Sequence, residues 1–472
     1  MIMRTMRTIP AIVMVLGFSL WTSAQDDSGR KAPVSPLGDN SPILNPDNPP
    51  VSGVDEAGLD LRSGERSFLS YGLSMSETVD SNAGNELDRQ AMSSITHLLG
   101  AVDLQRLYSK TDLFAEYLGG GAFYSNATTT ARQLHAAGVM GVMRWRTGRL
   151  TLRDSFSYLP EGSFSIGAFG GVPGLGIATG SGDTGLVGGL PGSHFFGNGQ
   201  FGSVGLTPRI SNSALASVVQ ALTPRSAVTV AVGFANAHFF DNTDVLINSD
   251  RTLVEAGYSY MLGRRDQLGV VYGFQQFRFP QDAGGQVDTH IINLRWGHTI
   301  SGKMNLSLGA GPQYIVFEDP FLGTVHRWST SGRAVLRYRF TRTSLALTYE
   351  KLTTAGSGFF AGSDTQAVRA GITRPLMRTW ELYTDIGYAH NRRLQTQSLE
   401  GIPGNTFDHG FARLLLRRHL GREWSAFASY RFNDLALNNA FCDKATGTCG
   451  ENSRRHMGSI GLEWHPRPIR ID

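Results

Sequence analysis

The chain predicts an all-β fold, a transmembrane antiparallel up-and-down β-barrel of about 18 strands, with 16 as the alternative count. Three observations carry that prediction. Runs of about ten residues alternate apolar and small or polar side chains from Phe68 to Trp464. Short turns and longer polar links then follow one another in strict alternation, with the short turns expected at the periplasm and the long loops outside. Finally, the 57 glycines and 26 phenylalanines suit strands and turns better than helices.

The chain begins with Arg4 and Arg7, an apolar run from Ile12 to Trp21 and then Thr22-Ser23-Ala24. That order predicts a secretory signal over residues 1–24, because the apolar run is too short to span a bilayer as a helix. Removing its two arginines lowers the formal charge from +4 to +2. The basic balance is therefore no argument for nucleic acid, and export argues against such a partner. Residues 25–66 are rich in Pro, Gly, Asp, Asn and Ser without hydrophobic periodicity, which predicts a disordered periplasmic lead-in.

The barrel domain is expected over residues 67–467. "FLSYGLSMS" sets Leu69, Tyr71, Leu73 and Met75 against Ser70, Gly72, Ser74 and Ser76. "AVTVAVGFA" sets Val228, Val230, Val232 and Phe234 against Ala227, Thr229, Ala231 and Gly233, and "HIINLRWGHT" sets Ile292, Leu294 and Trp296 against Asn293, Arg295 and Gly297. "WELYTDIGY" and "EWSAFASYRFN" repeat the pattern. Short turns are expected at 147–149, 223–226, 263–266, 301–303 and 421–423, and long links at "FDNTDVLINSD", "TTAGSGFFAGSD" and "NDLALNNAFCDKATGTCGENS". Trp145, Trp328, Trp380, Trp424 and Trp464 fall mostly near strand ends, where an interfacial girdle would lie.

The final run "MGSIGLEWHP", with Ile460, Leu462 and Trp464 on one face, resembles the aromatic-terminated last strand of the porin-like bacterial outer-membrane β-barrel superfamily. It departs from that pattern by continuing into "HPRPIRID", so residues 468–472 are read as a C-terminal extension. The resemblance implies residence in the outer membrane of a Gram-negative cell, contact with outer-membrane lipid, and passive diffusion of small hydrophilic solutes. It names no subfamily, and it leaves homo-oligomerisation open.

In such a barrel, arginine on the lipid face would cost roughly 2–4 kcal/mol at the midplane. "RAVLRYRF" therefore places Arg333, Arg337 and Arg339 towards water and Leu336, Tyr338 and Phe340 towards lipid. By the same logic the pore lining would comprise Arg144, Arg146, Arg295, Arg369, Arg413, Arg417 and Arg431, with Glu350, Glu381 and Asp385. The excess of arginine suggests a preference for anionic solutes. The alternative is that the carboxylates neutralise these arginines and the pairs brace the interior.

The Gly-rich stretch 161–208, in which Asp183 is the only formal charge after Glu161, would be a long loop lying outside as a lid or folded inwards as a constriction. Cys442 and Cys449 bracket "CDKATGTC", which in an exported chain predicts a disulfide. His97, His135, His290, His298 and His409 show no catalytic spacing, so the chain is not expected to be an enzyme, to hold a metal or to need a cofactor. A plugged barrel acting as a surface adhesin or interaction protein through its loops is the alternative function, and a hydrolase at the rim is the less favoured one.

Overall fold

A computed structural model describes residues 67–83, 92–125, 131–159, 209–240, 247–280, 285–319, 323–340, 343–356, 360–394, 406–442, 449–464, 466–467 and 469–471. The expected signal, the lead-in and the Gly-rich stretch 161–208 lie outside them.

The strands are β1 (Phe68–Asp80), β2 (Ser93–Leu107), β3 (Thr111–Tyr124), β4 (Ala131–Trp145), β5 (Gly148–Leu159) and β6 (Arg209–Thr223). Next come β7 (Ser226–Phe239), β8 (Ser249–Met261), β9 (Asp266–Phe279), β10 (Gly285–Ser301), β11 (Met304–Asp319) and β12 (Gly323–Arg339). The wall continues through β13 (Ser344–Thr354), β14 (Ser363–Pro375), β15 (Trp380–Arg393), β16 (Thr406–His419), β17 (Trp424–Cys442) and β18 (Cys449–Trp464). Each strand pairs antiparallel with its sequence neighbour, and β18 pairs with β1 from Trp464↔Leu73 to Met457↔Asp80. The result is a closed eighteen-strand barrel. A two-residue strand, β19 (Ile469–Arg470), continues past β18 and pairs with Leu69 and Phe68, so part of the C-terminal extension helps to seal the seam.

Closure removes the sheet edges that would otherwise expose unpaired backbone. The pleat then sorts the side chains. In β1 from Ser70 onward the even-numbered residues are buried and the odd-numbered ones exposed, and in β7 the odd residues are buried while the even ones from Val228 onward are exposed or half-buried. The weakly patterned stretch around Ile210–Leu222 is a full strand, β6, held on both sides by β5 and β7.

Two features differ from the sequence expectation. The links at the far end are not uniformly long: β17 runs to Cys442 and β18 starts at Cys449, so much of the expected loop is paired strand. Apolar inward residues explain this, because Leu435 and Leu437 are buried and extend the alternation beyond Asn433. Similarly, β11 and β12 stay paired to Asp319↔Gly323, making another projecting hairpin on that side of the wall.

The second difference is the β13–β14 link. Of its described residues, Ala355, Gly356, Phe360, Ala361 and Gly362 are all buried, so the segment tucks in among the upper side chains. Gly356 and Gly362 have φ of +85° and +91°, a region that side chains rarely adopt. The Phe360 amide donates to the Gly356 carbonyl, and Leu394 N–H donates to the Gly362 carbonyl at 3.2 Å, tying the tuck to the end of β15.

Candidate functional site in the barrel interior

The two faces of the wall have opposite chemistry. Outside, Leu73, Met75, Val232, Phe234, Ile292, Leu294 and Ile460 are exposed around the circumference, Leu294 by 63%. Trp145 and Trp464 end strands and Trp380 and Trp424 begin them, all at the end carrying the short turns. Nearer the other end runs a set of tyrosine–imidazole pairs: Tyr117–His135, Tyr272–His290, Tyr314–His326 and Tyr430–His456, each with Oη to Nδ1 at 2.8 Å. Exposed apolar residues framed by two bands of rings with polar tips match a bilayer core and its two interfaces. This is a membrane-spanning β-barrel of the bacterial outer-membrane type.

The short turns mark the periplasmic end of such a barrel and the longer links its outer end. The interior is then the candidate site, and its polar groups are arranged in register. Arg333 and Glu350 are Cα partners across β12 and β13, and Arg333 Nε lies 2.9 Å from Glu350 Oε1. Arg417, 3% exposed, lies between two carboxylates, with Nη1 3.7 Å from Glu381 Oε2 and Nε 3.6 Å from Glu463 Oε2. Tyr383 donates its hydroxyl proton to Glu381 at 2.7 Å, and the Arg417 guanidinium lies 5.8 Å from the Tyr383 ring centre. Higher in the barrel, Arg369 sits 5.9 Å from the ring of Phe411.

A further row crosses β14 to β18. Gly371 opposes Asp385, Asp385 opposes Arg413, Arg413 opposes Arg431, and Arg431 opposes Met457. Two inward arginines side by side on adjacent strands hold like charges together. Arg295 occupies an inward position of β10, in register with Gly269 and Gly309, whose missing side chains leave room for it. Positions 337 and 339 continue the inward alternation of β12, but the side chains of Arg337, Arg339 and Asp385 lie outside the described residues. Arg144 reaches the periplasmic rim, where it pairs with buried Asp112. Arg146 lies exposed in the β4–β5 turn, away from the lining.

Several interior groups escaped sequence reasoning. Asp80 and Arg455 form a fully buried ion pair at the β1–β18 seam, with Nε to Oδ2 at 2.7 Å. Arg251 lies 5.6 Å from the ring of Phe277, and Arg393 5.7 Å from that of Phe360. Their signal was the parity itself: Arg251 shares a face with Glu255, and Arg455 with Glu463.

Apolar layers cross the same interior. Phe277, Phe279, Val287, Ile315, Phe317, Ala361 and Leu394 form one cluster near the outer end, and Phe360, Phe407, Ala389, Leu435 and Leu437 form another. Phe360 and Phe407 are 5.3 Å apart. A third cluster joins Leu99 and Leu134 of β2 and β4 to Leu415 and Phe427 of β16 and β17. Of the histidines, His97 and His409 are buried inside, His135 and His290 belong to the outer pairs, and His298 bonds Asp266 at 2.7 Å near the periplasmic turn. Among the described residues, no three His, Cys, Asp or Glu side chains converge as a metal site.

No protein-family model matches the chain, and no curated protein matches it. Among solved structures, the chain is similar to OccK2 (OpdF) of Pseudomonas aeruginosa, crystallised with glucuronate, at 10% identity and a TM-score of 0.41, covering 86% of this chain and 98% of that one. OpdO of Pseudomonas aeruginosa matches at 11% identity and a TM-score of 0.40, covering 86% and 98%. The siderophore receptor PiuA of Acinetobacter baumannii matches at 11% and 0.40, covering 83% and 67%.

Proposed function

We propose that the barrel is a channel for small hydrophilic solutes with a preference for anions, narrowed near its outer end by the inward β13–β14 link. The carrying observation is the arginine pair Arg413–Arg431, in register on neighbouring strands of the inner face. Together with Arg369 it would raise the local anion concentration along one wall, while Arg333 and Arg417 are held by Glu350, Glu381 and Glu463. Arg337, Arg339, Glu350 and Glu381 would complete the lining, with Arg144 at its mouth. Passage needs neither a cofactor nor a chemical step.

Single-channel conductance of the refolded chain in planar bilayers, with the reversal potential taken across a salt gradient, tests this. Ohmic steps with anion preference support it. Steps without selectivity keep the channel and assign the arginines to bracing. Silence from folded barrels favours the second reading, a filled barrel that binds partners through its outer loops, for which the phenylalanine layers beneath the outer end are the supporting observation.

Cys442 and Cys449 are Cα partners at the tip of the β17–β18 hairpin. Directly opposed antiparallel residues lie about 4.5–5.5 Å apart, within the reach of a disulfide, so we assign an exported, oxidised hairpin there.

A further inference from the structure

The outer wall carries a hollow of about 470 Å3, and the reason lies in strand lengths. β12 pairs with β13 only from Gly332 to Arg339, while its upper part, Gly323–Ser331, rises with β11. β13 ends at Thr354, where the chain turns inwards through Ala355 and Gly356. A notch is left between upper β12 and the tops of β14 and β15.

Its lining is basic. Trp328 stands on one side, next to Arg327, whose position shares the inward parity of Arg333; Lys351 lies below, and Asp364, His390 and Arg392 on the other. Lys351 Nζ donates to Thr330 Oγ1 at 3.0 Å, and Ser329 donates to Asp364 at 3.4 Å across the notch. His390 Nδ1 is 2.6 Å from Asp408, which occupies the imidazole. No carboxylate among the described residues pairs with Arg327, Lys351 or Arg392. On the outward face Lys351 and Arg392 therefore stand with Asp364, the cross-strand neighbour of Arg392.

The row immediately below is apolar and points the same way. Tyr349, Val368 and Tyr388 are in register two residues beneath Lys351, Gln366 and His390, and all three are exposed on the lipid face. Trp328 is 71% exposed beside the hollow, as an interfacial tryptophan would be. Cations above, an aromatic at the boundary and an apolar strip below reproduce the order of a lipid's phosphate, interface and acyl chains.

We propose that this notch binds the phosphorylated headgroup of an outer-leaflet glycolipid, with Lys351 and Arg392 on phosphate and the acyl chains along Tyr349, Val368 and Tyr388. It rests on the membrane orientation of the barrel and is independent of whether the lumen conducts. Basic pockets at the membrane surface commonly take anionic headgroups, and arginine is suited to phosphate.

The test is native mass spectrometry of the full chain in detergent, titrated with bisphosphorylated lipid A and, separately, with the same lipid after dephosphorylation. Wild type should retain the phosphorylated form preferentially. Lys351→Ala or Arg392→Ala should each weaken it about fivefold, and the double variant more than tenfold, while Lys303→Ala in a periplasmic turn leaves it unchanged. Heat-modifiable gel mobility verifies folding of each variant. Equal retention of both lipid forms, wild-type affinity in the double variant, or an equal loss in Lys303→Ala would overturn the proposal. Complete displacement by millimolar inorganic phosphate would also overturn it, since the hollow would then be a free-phosphate site.

Discussion

The inner face of β1, β6 and β7 and the inner face of β8 to β17 are built from different alphabets. The first carries Ser70, Ser74, Ser76 and Thr78, then Ser211, Ser213 and Ser217, then Ala227, Thr229, Ala231 and Ala235, all buried. The second carries Arg251, Phe277, Arg295, Arg333, Arg369, Arg393, Phe407, Arg417 and Arg431. One wall is small and flat, and the other sends long arms inwards. The periodicity of two residues is identical in both, so the contrast concerns side-chain reach and leaves the strand geometry untouched. Long guanidinium arms need either a carboxylate or free volume opposite them, and a small-residue wall supplies volume without adding charge.

Breaking the buried ion pair that joins β1 of the small wall to β18 should have the largest effect. Arg455→Leu leaves Asp80 buried without its partner, and the expected destabilisation is about 3–5 kcal/mol, read as a fall in the temperature of heat-modifiable unfolding. The double change Asp80→Leu with Arg455→Leu should recover most of that loss.

The tuck of the β13–β14 link should respond next. A Cβ at Gly356 would run into the Phe360 carbonyl, and one at Gly362 would lie 2.9 Å from Leu394 Cδ1, each at a positive φ. Gly362→Val should cost about 1–3 kcal/mol and, if the segment is driven out of the lumen, raise single-channel conductance. Unchanged conductance in a folded variant would remove the link from the permeation path.

Charge reversal separates a filtering wall from a braced one. Arg413→Glu with Arg431→Glu should move the reversal potential towards cation preference, whereas Ser213→Arg on the small wall should strengthen anion preference and lower conductance. If both leave the reversal potential alone, the asymmetry of the interior is structural. The smallest effect is expected outside: Tyr272→Phe removes the hydroxyl from His290 at an exposed site and should cost about 0.5–1.5 kcal/mol.

Much of this was legible in the sequence because the barrel's main signal is local. Leu294 and Arg295 declare opposite faces by adjacency alone, and one parity assignment carries the whole of β10. The Asp80–Arg455 pair was not legible, since it joins residues 375 apart in the chain and depends on the stagger with which β18 meets β1. Nor was the tuck at Gly356 and Gly362, because "TTAGSGFFAGSD" has the composition of any polar link and only its burial distinguishes it. The strand extension to Cys442 was masked in the same way by asparagines, although Leu435 and Leu437 keep the alternation. What two neighbouring residues decide can be read along the chain, and what two distant ones decide needs the closed ring.

The seam between β1 and β18 also sets a timetable. The partners of β1 lie on β2, made early, and on β18, made last, so half of its backbone bonds and the neutralisation of Asp80 wait for nearly the whole chain to arrive. Until then Asp80 is a carboxylate that prefers water, which discourages an incomplete wall from settling into lipid. Its counter-charge, Arg455, comes with the last strand, so the ion pair can form only when the ring can shut.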